Sequence, residues 1–380
     1  MQTVGESTLE RAARLHRESL VVDSCSQFGP SAYTPEMLAR VEQLAAQGAP
    51  PWAMVVETME MAHRALLGGE LPGFWEGWDR AGVDVAAVTI GAFGAEPFSY
   101  ENAIDELALW TERFDRLGDW LCKVRSASDI RGLRADGRRG VILAFQNATH
   151  FGDDLAKLDR FVRMGLRIIQ LTYNSRNLLG DGCAERVQTG LSQFGVDVVK
   201  RLNDLGVLVD VSHCSDATSL DAIEVSERPV AVTHATCRSV AKHDRAKGDE
   251  VLRAIGETGG YFGIVLVPFF ITEEPSATLE HWLEHVDRAV DLAGAEHVGI
   301  GTDWGEELAP PLVGALDEEM LRMGFREEHR VDWSATLDGY RSWTDWPNLT
   351  AALVQRGYTD DQIRGFLGAN FLRVFDRATS

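Results

Sequence analysis

The stretch Val207-Leu208-Val209-Asp210-Val211-Ser212-His213 decides the fold. Near-continuous Val and Leu mark a strand buried on both faces, as in parallel sheets covered by helices. A second run, Pro229-Val230-Ala231-Val232-Thr233-His234, follows after one helical segment, Asp216 to Val225. A third, His297-Val298-Gly299-Ile300-Gly301-Thr302-Asp303, ends in an aspartate. Outward from these, runs at 20–24, 84–90, 140–145, 167–172 and 260–266 bring the expected strands to eight. Helical patterns separate most of them. Leu155 to Met164 stops at Gly165 and Phe194 to Leu205 stops at Gly206, glycines placed as helix C-caps. Asp249 to Thr258 repeats the scheme. Such alternation, with right-handed crossovers, predicts an α/β fold: one (β/α)8 TIM barrel over residues 1–380.

Two segments exceed what a barrel needs. Residues 31–80 predict a helical insertion after the first strand, with Met54, Met59 and Met61; residues 306–346 form a loop after the eighth, with Trp333, Trp343 and Trp346. Packing of the insertion is preferred here over a substrate lid or a dimer surface. The 380 residues carry a net charge of −21, which disfavours nucleic acid, whose binding rests on Lys and Arg neutralising phosphates. No apolar run is long enough to span a membrane, and Met1 to Leu20 lacks the apolar centre of a signal peptide. Five cysteines without a CxxC pair suit a reducing cytoplasm. A homodimer is the default assembly.

In a parallel barrel the residues just past the C-terminal strand ends converge on one face. Strand 1 brings Asp23, Cys25 and Gln27 there, strand 3 Gln146 and Asn147, and strand 4 Tyr173 and Asn174. Strands 5, 6 and 8 bring His213, His234 and Asp303. Two imidazoles and a carboxylate on one rim point to a divalent metal, and mixed N, O and S donors suit zinc. His150, in QNATHF, is expected in an exposed loop. The loop YNSRNLLGDGCAE after strand 4 suits substrate contact and turn-making equally.

VDVSHCSDAT, PVAVTHATCRS, HVGIGTDW and FLGANFLRVF resemble the membrane (renal) dipeptidase family, peptidase family M19 of the amidohydrolase superfamily. The resemblance runs from about strand 1 to Phe375 and implies a (β/α)8 barrel. It also implies a pair of zinc ions and cleavage of dipeptides, some with a C-terminal D-residue. His213 and His234 match the family's two histidine ligands of one metal. Asp303 matches the aspartate that binds the other metal and handles the proton. Arg245 matches the arginine that holds the substrate carboxylate.

The departures change the expectation. The family's first strand ends in a His-x-Asp metal-binding pair; here Cys25 and Gln27 stand there. Gln146 stands for the bridging glutamate, and Tyr173 for a substrate-contacting histidine. One zinc is therefore expected rather than two, at His213 and His234. Its third ligand is the Gln146 carbonyl, the Asp303 carboxylate or the Cys25 thiolate. A purely structural Cys25 is the stronger alternative to ligation, and a metal-free site is a further one. The expected activity is hydrolysis of a dipeptide or related small carboxylated amide. Asp303 would act as general base, Tyr173 as oxyanion donor, and Arg245 and Asn174 as substrate contacts. The competing readings are a lyase, isomerase or decarboxylase in the same pocket, and a non-catalytic binding homologue.

Overall fold

Eight strands follow one another around a barrel in chain order, every neighbouring pair parallel. They are β1 (Val22–Ser26), β2 (Val85–Thr89), β3 (Arg139–Phe145), β4 (Leu166–Gln170), β5 (Leu208–Asp210), β6 (Ala231–Cys237), β7 (Tyr261–Ile264) and β8 (Val298–Ile300). This computed structural model describes residues 6–26, 33–304 and 310–380. Gln27 and residues 305–309 therefore lie outside the described residues, as do 31–32 at the start of the expected insertion. Helices Leu155–Met164, Gln193–Asp204, Asp216–Val225 and Asp249–Glu257 stand where the periodicity predicts them. No described helix is long and apolar enough to cross a membrane.

The insertion folds as three helices, α2 (Pro35–Ala46), α3 (Pro51–Gly68) and α4 (Pro72–Ala81), preceded by α1 (Thr8–Glu18) before β1. A proline in the first turn of each insertion helix fits a position where no backbone N–H is needed. After β2 the long helix α5 (Tyr100–Arg116) starts on Ser99, whose side chain accepts from the Asn102 N–H. At the other end of the barrel, Phe371, Val374 and Phe375 pack with Val22, Val85, Leu208, Ala231 and Tyr261, each the first residue of its strand. The FLGANFLRVF segment thus plugs the N-terminal mouth and leaves the C-terminal rim for chemistry.

Two buried aspartates hold that rim. Among the described residues no ladder joins β8 to β1. Asp23 bridges them instead: its carboxylate accepts from the Thr302 N–H at 2.9 Å, the Thr302 hydroxyl at 2.6 Å and the Trp343 indole at 3.2 Å. The Asp303 N–H adds a bond to the Cys25 carbonyl at 2.8 Å. Asp210 ties β5 to β6 in the same way. It accepts from the N–H groups of Ser212 (2.9 Å) and Thr233 (3.1 Å) and from both hydroxyls at 2.5 and 2.6 Å.

One expectation is corrected outright. His150 is buried, not an exposed loop residue. Its loop turns as a short 3-10 helix, Thr149–Phe151, and lays the imidazole on Phe145 with ring centroids 3.9 Å apart. Backbone carbonyls of Asn147 and Gly91 flank its nitrogens, and burial pulls its pKa down to about 4. It is a buried core residue, stacked on Phe145.

Candidate active site

Cys25 is the fourth residue of β1, Gln146 follows β3, and Asp303 lies three residues beyond β8. His213 lies three residues beyond β5. His234 sits inside β6, which runs past the expected end at Thr233 to Cys237. The β6–β7 register shifts between Val232 and Ala235, so a bulge carries His234 onto the rim. Asp303 has a left-handed backbone, φ 48°, a strained state that active sites tolerate when the surroundings over-determine it.

The Cys25 sulfur, one His234 nitrogen and one Asp303 oxygen all lie within 4.8 Å of one another. The Cys25 thiol points at Asp303 Oδ1 at 3.6 Å, and His234 Nε2 is 3.9 Å from Asp303 Oδ2. His213 meets this group through His234, with the two Nε2 atoms 3.0 Å apart. Gln146 Nε2 donates to the Cys25 sulfur at 3.2 Å and to the Thr89 hydroxyl at 2.7 Å. Tyr173 stacks on the His213 ring, centroids 4.0 Å apart. Asn174 Oδ1 lies 2.8 Å from His213 Nδ1.

Hydrogen bonding fixes the His234 tautomer. Thr233 Oγ1 donates its only proton to Asp210, so it accepts at 2.8 Å from His234 Nδ1–H. The Nε2 lone pair then faces His213 Nε2 at 3.0 Å and Asp303 Oδ2 at 3.9 Å, on the side of Cys25. A carboxylate–hydroxyl–imidazole chain of this kind orients metal ligands. Burial, with the Arg245 charge nearby, pulls both histidines well below their ordinary pKa, so both rings are neutral donors. Burial, with Asp303, Asp23 and Asp210 around it, pushes the Cys25 thiol up. Burial raises the Tyr173 phenol as well, keeping it a proton donor.

Other candidates fall elsewhere. Arg245 is buried, and its Nη atoms donate to the carbonyls of Ser212 (2.7 Å) and His234 (3.0 Å). Its guanidinium stands 5.5 Å from the Phe270 ring, and its Nε has no partner among the described residues. In the loop after β4, Asp181 pairs with Arg176 and accepts from Thr189, while Asn177 Oδ1 accepts from the Leu179 N–H. These bonds make the turns of the loop.

A cavity of about 330 Å³ opens onto Asp303, Gln146 and Tyr173. Its walls come from α3, α5, Phe98, Phe269 and the helix Pro310–Arg322. Met59 and Trp333 line it, whereas Met54 packs with Val41 and Leu312 and Trp343 and Trp346 are fully buried. The packing preferred for the Met and Trp residues thus holds for some of them, while two face the cavity. Sequence reading missed Glu106, Trp110 and Arg113, which also line it. Their spacing of four and three residues, two charges on one helical face, was the available signal.

Burial raises Glu106 to about 7 although the Gly91 N–H donates to it at 2.7 Å. A carboxyl whose folded pKa exceeds its unfolded one adds stability that is full below pH 4.5 and lost as pH rises through about 7. Glu106→Gln is expected to remove that slope. In urea titrations between pH 4.5 and 8, wild type should lose up to about 3 kcal/mol relative to the variant. Parallel pH profiles would show that Glu106 is not the source.

A sequence model of the membrane dipeptidase family, peptidase family M19, matches residues 9–321 and 332–380. The chain belongs to that family. It is similar to the dipeptidase verJ of Clonostachys rogersoniana, 32% identical over 278 residues, covering 72% of this chain and 63% of verJ. The chain spans less than two thirds of the length of the curated relatives it matches. Among solved structures it is similar to an amidohydrolase from Pseudomonas aeruginosa, with TM-score 0.76, 24% identity, and 97% and 99% of the two chains covered. A metallopeptidase from Rhodobacter sphaeroides, solved with a phosphinate mimic of L-Ala-D-Ala, gives TM-score 0.70 at 20% identity, covering 95% of this chain and all (100%) of that one. These likenesses place the M19 chain in the amidohydrolase-like (β/α)8 fold.

Proposed function

We propose that this M19 member is a metal-dependent hydrolase of a dipeptide or related small carboxylated amide. The observation that carries the reading is the meeting of Cys25, His234 and Asp303 within 4.8 Å at the mouth of the cavity. The donor set fits zinc: a sulfur, a neutral imidazole with its lone pair fixed, and a carboxylate. His234, Asp303 and Cys25 would hold one ion, with His213 as the neighbouring second imidazole. Gln146, which bonds Cys25, supplies no negative charge for a second. When bound, the ion would supply Lewis acidity that polarises the scissile carbonyl and acidifies water.

The chain's own groups do the rest in this reading. The Asp303 carboxylate takes the proton from attacking water and returns it to the leaving amine. The Tyr173 O–H donates to the oxygen on which charge develops. Asn174 fixes the His213 ring. Arg245, expected to hold the substrate carboxylate, instead holds the carbonyls of Ser212 and His234 and does not line the cavity, so its part in this reading is to position the two histidines.

A panel of L,L- and L,D-dipeptides, assayed by amine release with zinc-loaded protein, tests this. Turnover that a chelator abolishes is the expected result. No turnover across the panel by zinc-loaded, folded protein would contradict it and turn attention to acid–base chemistry or binding alone. On an active substrate, Tyr173→Phe is expected to lower kcat about 10²-fold with KM little changed. An unchanged kcat would remove Tyr173 from the mechanism.

A further inference from the structure

The cavity lies between two helices that a barrel does not need, α3 of the insertion and the helix Pro310–Arg322 after β8, which pack on each other. Met59, Ala62 and Leu66 stand three and four residues apart on α3, and Leu312, Leu316 and Met320 stand four apart on the other helix. Each helix thus turns one apolar face to the cavity. Protein interiors leave few voids larger than a water molecule, because unfilled apolar surface forfeits its contacts. About 330 Å³ between such faces is too large to be a packing flaw. Water is a poor occupant of it, since a buried water needs roughly two to four polar partners. The apolar lining reaches the groups assigned to the chemistry: Phe98 and Phe325 flank Tyr173, with ring centroids 4.9 and 6.1 Å from it. The charged groups of the α5 wall are answered within the protein. Glu106 and Arg113 act on each other, Glu60 acts on Arg113 as well, and Arg113 donates to His63 at 3.2 Å.

We propose that this cavity is the side-chain pocket of the site, that it takes a substrate residue whose apolar side chain is as large as a fused bicyclic ring, and that Ala62 sets its depth. This deepens the hydrolase reading and rests on it for the bond cleaved, not for the binding. An apolar cavity of about 150 Å³ admits benzene. The volume here is roughly twice that, room for a second fused ring. A dipeptide backbone held at Asp303 and Tyr173 leaves this space empty unless one of its side chains fills it. Burying that side chain removes apolar surface from water on both partners, which is the driving force for choosing it over a small one. On α3 the smallest side chain facing the cavity among Met59, Ala62 and Leu66 is the central one, so the pocket is deepest at Ala62. In this inference α3 is a pocket wall as well as packing.

The test is calorimetric titration of the full-length protein with 1-naphthalenemethanol and with benzyl alcohol, neither of which has a bond that a peptidase cleaves. Wild type is expected to bind the naphthyl alcohol at least about tenfold tighter, because the second ring is buried too. Ala62→Trp fills the cavity from α3 and Leu316→Trp fills it from the facing helix. Each should bring the two alcohols within about twofold of each other. Leu321→Trp adds the same bulk to the exposed side of that helix and should behave as wild type. Equal affinities in wild type, or a naphthyl preference that survives in a folded filling variant, would overturn the proposal. Should neither filling variant fold, Ala62→Val decides: the preference should fall at least about threefold, and an undiminished one counts against the pocket. On any dipeptide that is turned over, 1-naphthalenemethanol should raise KM and leave kcat unchanged. Tight binding without that competition would put the cavity off the substrate's path and overturn the proposal as well. A failed dipeptidase assay with an intact naphthyl preference would instead sink the reaction and leave the pocket standing.

Discussion

Asp303→Asn is expected to lower kcat/KM for the best dipeptide by about 10³-fold and to leave the fold intact. Asparagine keeps the shape, tolerates the left-handed backbone at φ 48° and keeps the N–H bond to the Cys25 carbonyl. What it loses is the charge facing Cys25 and His234, and with it both the proton acceptor and one of the three donors assigned to the ion. The thermal midpoint should move little, because the side chain is not part of the strand ties made by Asp23 and Asp210. Kinetics and a melting curve on the same preparation check both halves. A loss of less than about tenfold would mean that another group moves the proton.

The second large effect concerns stability. Asp210→Ala should cost about 4 kcal/mol in urea unfolding and loosen the metal site as well. The carboxylate satisfies two backbone N–H groups and two hydroxyls at the ends of β5 and β6. The hydroxyls of Ser212 and Thr233, 3.1 Å apart, can turn to each other once it is gone. The two buried N–H groups cannot, and each orphan costs about 1–3 kcal/mol. Burial already raises the Asp210 pKa, so the variant recovers some desolvation energy, which keeps the figure below the sum of its bonds. Thr233 is also freed to donate to His234 Nδ1, which would turn the His234 lone pair away from Cys25 and Asp303. A loss below about 1 kcal/mol would show that the rim is held elsewhere.

The fold was legible because buried parallel strands and amphipathic helices leave different periods in the sequence. The runs ending at His213 and Asp303 carry most of that signal, and Gly165 and Gly206 mark helix ends where they stand. His234 was legible as a rim residue, although β6 reaches it through a register shift against β7 that one strand's sequence does not contain. Two things were not legible. The environment of His150 depends on a turn that folds it onto Phe145, and a short polar loop gives no hint of that. The cavity wall combines α3, α5 and the helix after β8, so Glu106 and Arg113 gain meaning only once those elements meet. The strand-end carboxylates Asp23 and Asp210 lie between these cases. Their place beside rim residues is visible in sequence, but their roles as cross-strand ties appear only with Thr302, Trp343 and Thr233 in position.

The central claim is that Cys25, His234 and Asp303 make a metal site. The most direct measurement is the zinc content of purified protein after stripping and reloading, for wild type, His234→Ala and Cys25→Ser. The account predicts about one zinc per chain in wild type, almost none in His234→Ala and weakened retention in Cys25→Ser. Two per chain would mean that Gln146 and Cys25 do not limit the site to one ion. A folded wild type that takes up none would contradict the claim.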